Sequence, residues 1–556
     1  MSDSLKIYCR NLKAYIEVIG GERLAEVSAR LSDRLGFTPI CARVNNKTEA
    51  MSYRVYSPKL VEFLPVNSQS GTRVYVRSLC MMLYCAVQRC YPGAKLKIEH
   101  SMSHGWYCRL SADVPVSDHV VSRLKEEMSL LCQRNLPFLR KERLTSDVIE
   151  IFDKQGLDDK VLLLKSEREL YSTYYCLDDL ADSYYGCLAP STGMLNVFDL
   201  LPYKEGFLLM AFDPADPTSI AAPVPQEKMY RAFTEHLAFN NIVGVNNVGE
   251  MNFMVQEGKE PGLINVAEAL HNNKIARIAN EIRERYDDGG ARIVLVAGPS
   301  SSGKTTFTKR LAIQLMTNLL EPRMISLDDY FLNRDETPLD ETGDYDFESL
   351  YALDLDKFNS DLSSLLRGEE VELPYYNFES GRREYRGNKI TLSDRSVLLI
   401  EGIHGLNPEL TASIQEKMKF KVYVSALTTL SIDDHNWVPT TDNRLLRRII
   451  RDNAYRGTGA VETIRRWPSV RRGEERWIFP YQENADAMFN SSLLFELGVM
   501  KERGEEILKR VPNDVPEYAE AYRLRKFLSY FSPIDEKYIP STSLIREFIG
   551  GSSFNY

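Results

Sequence analysis

Apolar positions in the C-terminal half form short continuous runs separated by stretches of helical spacing. Residues 292–297 and 396–400 are continuous aliphatic runs, which predict buried parallel strands. Residues 306–320 have apolar side chains four apart, which predicts a helix, and residues 321–327 predict another strand. Strands that alternate with helices are typical of an α/β fold with a doubly wound, mainly parallel sheet.

The first part of the chain follows a different pattern. Short strands are predicted at KIYCRN, AYIEVI, ICARVNN and KLVEFL around one helix over residues 22–35, which indicates a small β-grasp module. From Tyr75 the pattern predicts an amphipathic helix, and Pro92-Gly93 leads from it into a hairpin. We therefore expect an α+β region to follow the first module.

Helical patterns also flank the α/β part. Residues 264–286 have helical periodicity and end at an acidic-glycine turn over 287–290, which predicts a helical connector. Two further helices are predicted after residue 500. We expect the end of the chain to dock on the preceding region, because it carries five large apolar residues: Leu544, Ile545, Phe548, Ile549 and Phe554.

Length and composition limit the class of protein. A chain of 556 residues is too long for one core, and 44% hydrophobic with 26% charged residues is ordinary for a globular protein. No apolar run reaches the roughly 18 residues of a membrane span, and no secretion signal is evident. Nine cysteines without a CxxC pair predict reduced thiols and a cytoplasmic location. A net charge of -9 argues against broad nucleic-acid binding.

A glycine-rich loop follows the first predicted strand of the α/β part. Residues 298–305, GPSSSGKT, match the G-x-x-x-x-G-K-[ST] phosphate loop between a strand and a helix. We expect ATP phosphates at the loop N–H groups and the helix N-terminus, with Lys304 at the β/γ oxygens and Thr305 on Mg²⁺. The predicted nucleotide contacts are Gly298, Pro299, Ser300, Ser301, Ser302, Gly303, Lys304, Thr305 and Thr306.

Carboxylates follow two other predicted strands. Asp328 comes directly after the strand over 321–327, and neighbouring parallel strands end at one ligand crevice, so it is placed to take a proton from an acceptor hydroxyl. The alternative is that Asp328 and Asp329 cap a helix or face solvent. Glu401 follows the strand over 396–400, where a carboxylate suits Mg²⁺ through a water.

Arginines cluster later in the same region. At 100° per residue, Arg444, Arg447, Arg448 and Arg451 share one face of a predicted helix. A second group contains Arg465, Arg466, Arg471, Arg472 and Arg476. In an acidic protein these groups indicate a lid that neutralises the transferred phosphate, whereas the alternative is a solvated charged face.

The order of GPSSSGKT, SLDDYF, PYYNF, IEGI and RRIIRD resembles the uridine kinase and phosphoribulokinase group of P-loop kinases, over roughly residues 290–500. The resemblance implies that Asp328 is the base for a ribose 5′-hydroxyl and that Tyr376 packs on a nucleobase. Glu348 stands where the family has an aspartate on the ribose hydroxyls. The remaining residues it implies are Arg448 and Arg451 at the phosphates and Tyr330, Arg383 and Arg466 at the substrate.

Two positions depart from that family. Gly381 stands where uridine kinases have a pyrimidine-reading histidine, so the preferred base stays open. The lid arginine of the family falls near Thr458, and Arg465 or Arg466 could substitute for it from a neighbouring turn.

The N-terminal half resembles the TGS and editing modules of threonyl-tRNA synthetase, with a match in Asp182 to Thr192. The four positions of the metal-binding cluster in those editing modules are Arg77, Met81, Tyr184 and Leu188 here, so an inherited deacylase activity is not expected. His100 and His104 have helical ligand spacing, but they lie in a predicted strand and turn where they do not converge.

These patterns predict an ATP- and Mg²⁺-dependent kinase of a nucleoside 5′-hydroxyl, with a small-molecule substrate, no membrane partner and the oligomeric state open. Alternatives are a kinase of a phosphorylated sugar or pantothenate-like acceptor, and an ATP-binding regulatory protein linked to tRNA or the ribosome. The predicted regions are a β-grasp domain, an editing-like domain, a helical connector, the kinase domain and a docking tail, over 1–66, 67–245, 246–289, 290–500 and 501–556.

Overall fold

The structure is a computed structural model that describes residues 4–167, 169–341 and 343–555. Residues 1–3 of the predicted β-grasp domain and Tyr556 of the predicted tail lie outside the described residues. None of the helices within the described ranges combines the length and apolar character that crossing a membrane requires. The boundaries of the five regions stay a prediction.

The N-terminal module is a five-stranded sheet in the order β2-β1-β7-β4-β5, with β1 parallel to β7. One short helix packs across it, as in a β-grasp fold, and buries Leu24 and Val27. The elements are β1 (Ser4–Cys9), β2 (Ala14–Ile19), β3 (Glu22–Arg23), α1 (Leu24–Arg30), α2 (Ser32–Leu35), β4 (Cys41–Val44), β5 (Lys47–Ala50), β6 (Arg54–Val55) and β7 (Leu60–Leu64).

An α+β region follows, with one sheet in the order β13-β14-β9-β8, which β15 extends from β14, and a second in the order β10-β11-β12. Its helices are α3 (Gln69–Cys90), α4 (Asp118–Arg134), α5 (Thr145–Lys154), α6 (Asp158–Ser166) and α7 (Glu227–Val243). Its strands are β8 (Lys95–Met102), β9 (Gly105–Ser111), β10 (Leu139–Leu144), β11 (Tyr171–Leu177), β12 (Leu180–Asp182), β13 (Phe198–Tyr203), β14 (Gly206–Asp213) and β15 (Asp216–Ile220).

The prediction of an amphipathic helix after Tyr75 was wrong in one respect. Every residue of α3 from Val74 to Val87 is buried, because the helix lies between the strands of this region and α4. A helix surrounded by protein needs no polar face. Within its buried stretch, Ser78 Oγ donates to Val74 O at 2.7 Å and accepts the N–H of Ala189 at 2.8 Å.

The editing-type positions are also buried. Arg77, Met81, Tyr184 and Leu188 are each at most 9% exposed, and no group of metal-ligating side chains forms within the described ranges. His100 lies in β8 and stacks on Phe233 of α7. The side chain of His104 instead donates to Ala222 O at 3.0 Å.

The region predicted as the kinase domain, here called the kinase region, contains a five-stranded parallel sheet in the order β17-β20-β16-β21-β24, and β18 with β19 and β22 with β23 form two separate pairs. It follows two connecting helices, α8 (Val248–Gln256) and α9 (Glu260–Asp287). Its strands are β16 (Ile293–Ala297), β17 (Glu321–Ser326), β18 (Val371–Asn377), β19 (Arg382–Ile390), β20 (Ser396–Glu401), β21 (Lys419–Ser425), β22 (Ser431–Asp433), β23 (Asn436–Trp437) and β24 (Ala487–Asn490).

The helices of the kinase region cover both faces of that sheet. They are α10 (Lys304–Thr317), α11 (Leu355–Leu366), α12 (Thr440–Tyr455), α13 (Ala460–Trp477), α14 (Glu496–Lys509), α15 (Tyr518–Ser529) and α16 (Arg546–Ile549). The end of the chain docks on the kinase region, because Leu544, Ile545, Phe548 and Ile549 are at most 2% exposed.

Candidate active site

Three parallel strands of the kinase region end side by side. Val296 of β16 and Ser326 of β17 both pair with Glu401 of β20, so the segments that follow these strands meet at one edge of the sheet. The loop over 298–303, the turn that carries Asp328 and the carboxylate of Glu401 are therefore brought together by the sheet register.

The glycine-rich loop ends at Gly303, which caps α10 with a left-handed φ of 83°. A Cβ atom here would lie 2.4 Å from Leu544 Cδ2, so glycine also allows the end of the chain to approach. Lys304 Nζ donates to Pro299 O at 3.2 Å. Burial lowers the pKa of Lys304, although the carboxylate of Glu401 opposes this shift.

Glu401 contacts the residue predicted to ligate Mg²⁺. Thr305 Oγ1 donates to Glu401 Oε1 at 3.0 Å, and Glu401 Oε2 is buried with no hydrogen-bond partner among the described residues. Burial raises the pKa of Glu401 to about 7, and Lys304 opposes that rise. A hydroxyl and a carboxylate with a spare oxygen fit Mg²⁺, which takes few protein ligands beside water and phosphate oxygens.

Asp328 and Glu348 lie close to this pair. Asp328 is exposed in a short 3₁₀ turn, Leu327–Tyr330, where its N–H donates to Ser326 Oγ at 3.3 Å. Burial, with repulsion from Glu474, raises the pKa of Glu348 to about 7. The charge of Asp328 contributes to the raised pKa of both Glu348 and Glu401, so it lies near both.

We call Lys304, Asp328, Glu348 and Glu401 the loop cluster. Like Glu401, Glu348 has one buried carboxylate oxygen without a hydrogen-bond partner in the described part of the chain. Buried oxygens of this kind are costly unless a cation or donor reaches them, which marks the cluster as a place for a ligand.

Aromatic rings stand beside the turn that carries Asp328. The ring of Tyr376 lies 5.5 Å from that of Phe331 and 5.1 Å from that of Phe378. Asp329 Oδ1 accepts the N–H of Tyr376 at 3.2 Å, which fixes β18 against the turn. Phe378 is 59% exposed, whereas Tyr376 is buried, so the group presents ring surface to solvent next to a carboxylate.

Arginines of α12 donate hydrogen bonds to the glycine-rich loop. Arg444 Nε donates to Ser300 O at 2.9 Å, and Arg448 Nη1 donates to Ser300 Oγ at 3.0 Å. Arg447 Nη1 donates to Ser301 O at 3.4 Å. Arg444 and Arg447 are at most 1% exposed, so they shape the loop from within the protein.

Two other predicted arginines make only local ion pairs. Arg451 donates to Asp452 Oδ1 from Nε at 3.0 Å and from Nη2 at 2.9 Å. Arg466 Nε donates to Glu462 Oε1 at 2.7 Å, and its side chain is 69% exposed. No hydrogen bond or ion pair joins Arg466 to the loop in the described residues, because it lies off the buried face of α13.

The remaining predicted substrate residues lie in the wall of the crevice. Tyr330 is 1% exposed and donates to Asp361 Oδ2 at 3.1 Å, so its ring belongs to the core. Arg383 Nη1 donates to Asp354 Oδ2 at 2.7 Å. At Gly381 a Cβ atom would lie 2.8 Å from Arg334 Nε, so Arg334 fills the space beside the position without a side chain.

Two carboxylates that the sequence did not indicate bond to the loop. Ser300 N–H donates to Glu474 Oε1 at 3.1 Å. Thr306 donates to Glu547 Oε2 from N at 3.2 Å and from Oγ1 at 2.7 Å. Glu474 stands within a basic cluster and Glu547 lies 241 residues beyond Thr306, so no local pattern marks either one.

His404 is a further residue of this crevice that the sequence analysis missed. It is 2% exposed, and burial lowers its pKa to about 4, so its ring is neutral at neutral pH. Its place three residues after Glu401 was the available signal.

Comparisons with known proteins agree with this geometry. Residues 293–493 match the Phosphoribulokinase / Uridine kinase family. A uridine kinase from Macrococcus caseolyticus is 28% identical over 195 residues, which are 35% of this chain and 85% of that kinase. A threonine–tRNA ligase from Desulforamulus reducens is 29% identical over 182 residues, which are 33% of this chain and 29% of the ligase. The chain thus spans less than a third of that ligase.

Solved structures with a similar region include a possible uridine kinase from Bacillus stearothermophilus. It is 21% identical, and the match covers 38% of this chain and 100% of that one, with a TM-score of 0.25. A D-glycerate 3-kinase from Cryptococcus neoformans is 14% identical, and the match covers 46% of this chain and 87% of that one, with a TM-score of 0.23. Neither score is high enough to support an assignment.

The family match, the phosphate loop and the loop cluster lead to one coarse function, that of a P-loop kinase. Residues 293–493 are similar to the Phosphoribulokinase / Uridine kinase family, and the chain joins this region to an N-terminal half that is similar to threonine–tRNA ligases.

Proposed function

We propose that the protein transfers the γ-phosphoryl group of ATP to the 5′-hydroxyl of a nucleoside, with Mg²⁺ bound alongside the nucleotide. The observation that carries the proposal is the place of Asp328, an exposed carboxylate of the loop cluster that directly precedes Asp329, the residue bonded to Tyr376 of the aromatic group. In this role Asp328 accepts the proton of the acceptor hydroxyl.

The loop residues bind and orient the phosphates. The N–H groups at the start of α10 and the ammonium of Lys304 hold anionic oxygens. Arg448 contributes charge beside the loop while its bond to Ser300 Oγ keeps the loop in shape. Thr305 and Glu401 would hold Mg²⁺, which supplies neutralisation of the phosphate charge when it is bound.

The aromatic group supports a nucleoside as the acceptor. A flat base can pack on exposed ring surface such as that of Phe378, next to the carboxylate that activates the sugar hydroxyl. Glu348, whose carboxylate has a buried oxygen without a partner among described residues, is the group we assign to the ribose hydroxyls. The base preference stays open because residue 381 is glycine.

An acceptor panel with labelled ATP tests the proposal. The full chain is incubated with nucleosides, phosphorylated sugars, pantothenate and glycerate, and the product is mapped by mass spectrometry. Phosphate on a nucleoside 5′-oxygen supports the proposal, whereas transfer only to a sugar phosphate or an acid replaces it with the related small-molecule kinase.

One observation favours a second candidate, an ATP-binding regulatory protein. Glu474 and Glu547 occupy N–H groups of the loop and of α10, so a nucleotide must displace protein carboxylates, as in a nucleotide-controlled switch. Nucleotide binding without transfer to any acceptor of the panel would support this candidate.

A further inference from the structure

A hairpin of the kinase region enters the N-terminal half. The hairpin spans residues 431–437 and consists of β22 and β23. Ile98 of β8 donates its N–H to Asp434 O at 2.7 Å, and the N–H of Asp434 donates to Asp159 Oδ2 at 2.6 Å. The hairpin therefore lies in a cleft formed by β8, α6 and β12.

A buried ionic group fixes the hairpin in that cleft. Lys160 Nζ lies 2.8 Å from Asp182 Oδ1 and 2.8 Å from Asp433 Oδ1. His435 Nδ1 lies 2.8 Å from Asp182 Oδ2, and each of these four side chains is at most 2% exposed. Tyr184 adds a hydrogen bond to Asp182 Oδ2 at 2.7 Å. We call Lys160, Asp182, Asp433 and His435 the hairpin cluster.

The charges of Lys160, Asp182 and His435 stabilise one another, whereas burial raises the pKa of Asp433. Burial opposes the charge of Lys160, but the carboxylates of Asp182 and Asp433 raise its pKa. Burial also opposes the charge of His435, and Asp182 raises its pKa above the ordinary value. A paired group of this kind holds one geometry, because losing one member leaves buried charge without a partner.

The hairpin is followed after two residues by α12, the helix whose arginines donate hydrogen bonds to the phosphate loop. It ends at Trp437, and α12 begins at Thr440. Arg444 and Arg448 of that helix donate to Ser300 O and Ser300 Oγ. The position of the hairpin therefore sets the position of the arginines relative to the loop.

We propose that the N-terminal half positions α12 and the phosphate loop through this hairpin, with Asp182 and Lys160 as positioning residues. The proposal rests on the proposed function only in its kinetic test. The N-terminal half then supports the kinase region, and the hairpin of the same chain fills the cleft between β8, α6 and β12.

Hydrogen exchange on the unliganded full chain tests the link directly. Asp182→Asn keeps the side-chain shape but removes the charge between Lys160 and His435. We expect exchange to accelerate about tenfold or more in residues 440–455 and 298–303 as well as around the hairpin. Acceleration confined to the N-terminal half, with both kinase segments as in the wild type, would overturn the proposal.

The matched control is Asp158→Asn. Asp158 lies one residue before Asp159 on α6, and its side chain is 75% exposed in a surface pair with Lys95. We expect its exchange pattern to equal that of the wild type. If Asp182→Asn does not fold, Asn436→Ala replaces it, because Asn436 Nδ2 donates to Ser183 O at 2.9 Å and anchors the same hairpin without a charge.

Kinetics at 25 °C separate positioning from stability alone. We expect Asp182→Asn to lower kcat about tenfold while the folded fraction stays complete. A lower melting temperature with unchanged kcat would show a purely structural role and contradict the proposal. If the acceptor panel finds no substrate, the proposed function fails, while the exchange experiment still decides whether the hairpin positions α12.

Discussion

Two groups of buried ionisable side chains in this protein differ in how well they are paired. In the hairpin cluster, Lys160 contacts two carboxylates at 2.8 Å each and His435 contacts Asp182 at the same distance. In the loop cluster, Glu348 and Glu401 each keep a buried oxygen without a partner among the described residues. The hairpin cluster and the carboxylates of Glu348 and Glu401 are all largely enclosed by protein, yet only the hairpin cluster has its charges paired there.

The difference separates structural charge from charge that awaits a ligand. Paired charges fix a contact between two parts of the chain, and their pKa values move toward the ionised forms of Lys160 and Asp182. Glu348 and Glu401, whose carboxylates each keep one buried oxygen without a partner among the described residues, have raised pKa values and become ionised at lower cost when cations arrive.

The largest effect is expected from Lys160→Met. The change leaves Asp182 and Asp433 buried without their cation, which should lower the free energy of unfolding by about 3–5 kcal/mol. Urea unfolding measures the loss. Lys95→Met, which removes a surface pair with Asp158, is the control and should change stability by no more than about 0.5 kcal/mol. Equal losses of unfolding free energy in the two variants would mean that the hairpin cluster does not stabilise the contact between the hairpin and the N-terminal half.

Asp328→Asn tests the loop cluster as a reactive site. We expect kcat to fall about 10²-fold or more with nearly unchanged ATP affinity, because the amide cannot accept the hydroxyl proton. Steady-state kinetics and calorimetry measure the two quantities. Asp329→Asn should lower kcat less, since Asp329 holds the N–H of Tyr376. Turnover like that of the wild type in Asp328→Asn would remove Asp328 from the role.

Glu547→Gln tests whether the carboxylate of Glu547, which accepts hydrogen bonds from Thr306, weakens the binding of phosphate at the start of α10. The variant keeps an acceptor for Thr306 but removes a negative charge, so MgADP should bind about tenfold more tightly. Titration calorimetry measures the dissociation constant. Glu536→Gln, which removes a partner of Arg503 in the same C-terminal segment, is the control. Weaker binding in Glu547→Gln would show that Glu547 supports the loop in its binding form.

The raised pKa of Glu401 predicts a pH dependence of stability. Its pKa rises from 4.5 to about 7 in the folded protein, so between these values the unfolded chain loses the proton that the folded protein keeps. The contribution of Glu401 to the free energy of unfolding therefore falls as pH rises from 4.5 to 7 and is constant above that range. Glu401→Gln should gain stability over the wild type across this range in urea unfolding, by at most about 3 kcal/mol. A difference that shrinks toward pH 7 would contradict the assignment.

Arg466→Ala should have the smallest effect. Its guanidinium pairs with Glu462 at an exposed site, so we expect kcat to change less than about twofold. A fall of tenfold or more in the same assay would place Arg466 at the transferred phosphate after lid movement, as a substitute for the family's lid arginine, which falls near Thr458.

Local pattern was sufficient for the parts of the fold that depend on near neighbours. The strand, loop and helix around Lys304 were predicted because a buried parallel strand and a glycine-rich turn have strong local signatures. The convergence of Asp328 with Glu401 followed from a rule about parallel strands, which end at the same edge of a sheet.

The phosphate loop, the ends of the parallel strands and the residue types at those ends are therefore encoded in local stretches of sequence. The bond of Glu474 to the loop, the bond of Glu547 to α10, the burial of α3 on every side and the contact of His435 with Asp182 depend on tertiary packing. Those contacts join residues far apart in the chain, and no periodicity encodes which distant groups will be enclosed together. Burial changes the energetics of such charges, because an ionised carboxylate is well solvated in water. Once protein surrounds it, the charge is costly unless a partner or a ligand neutralises it.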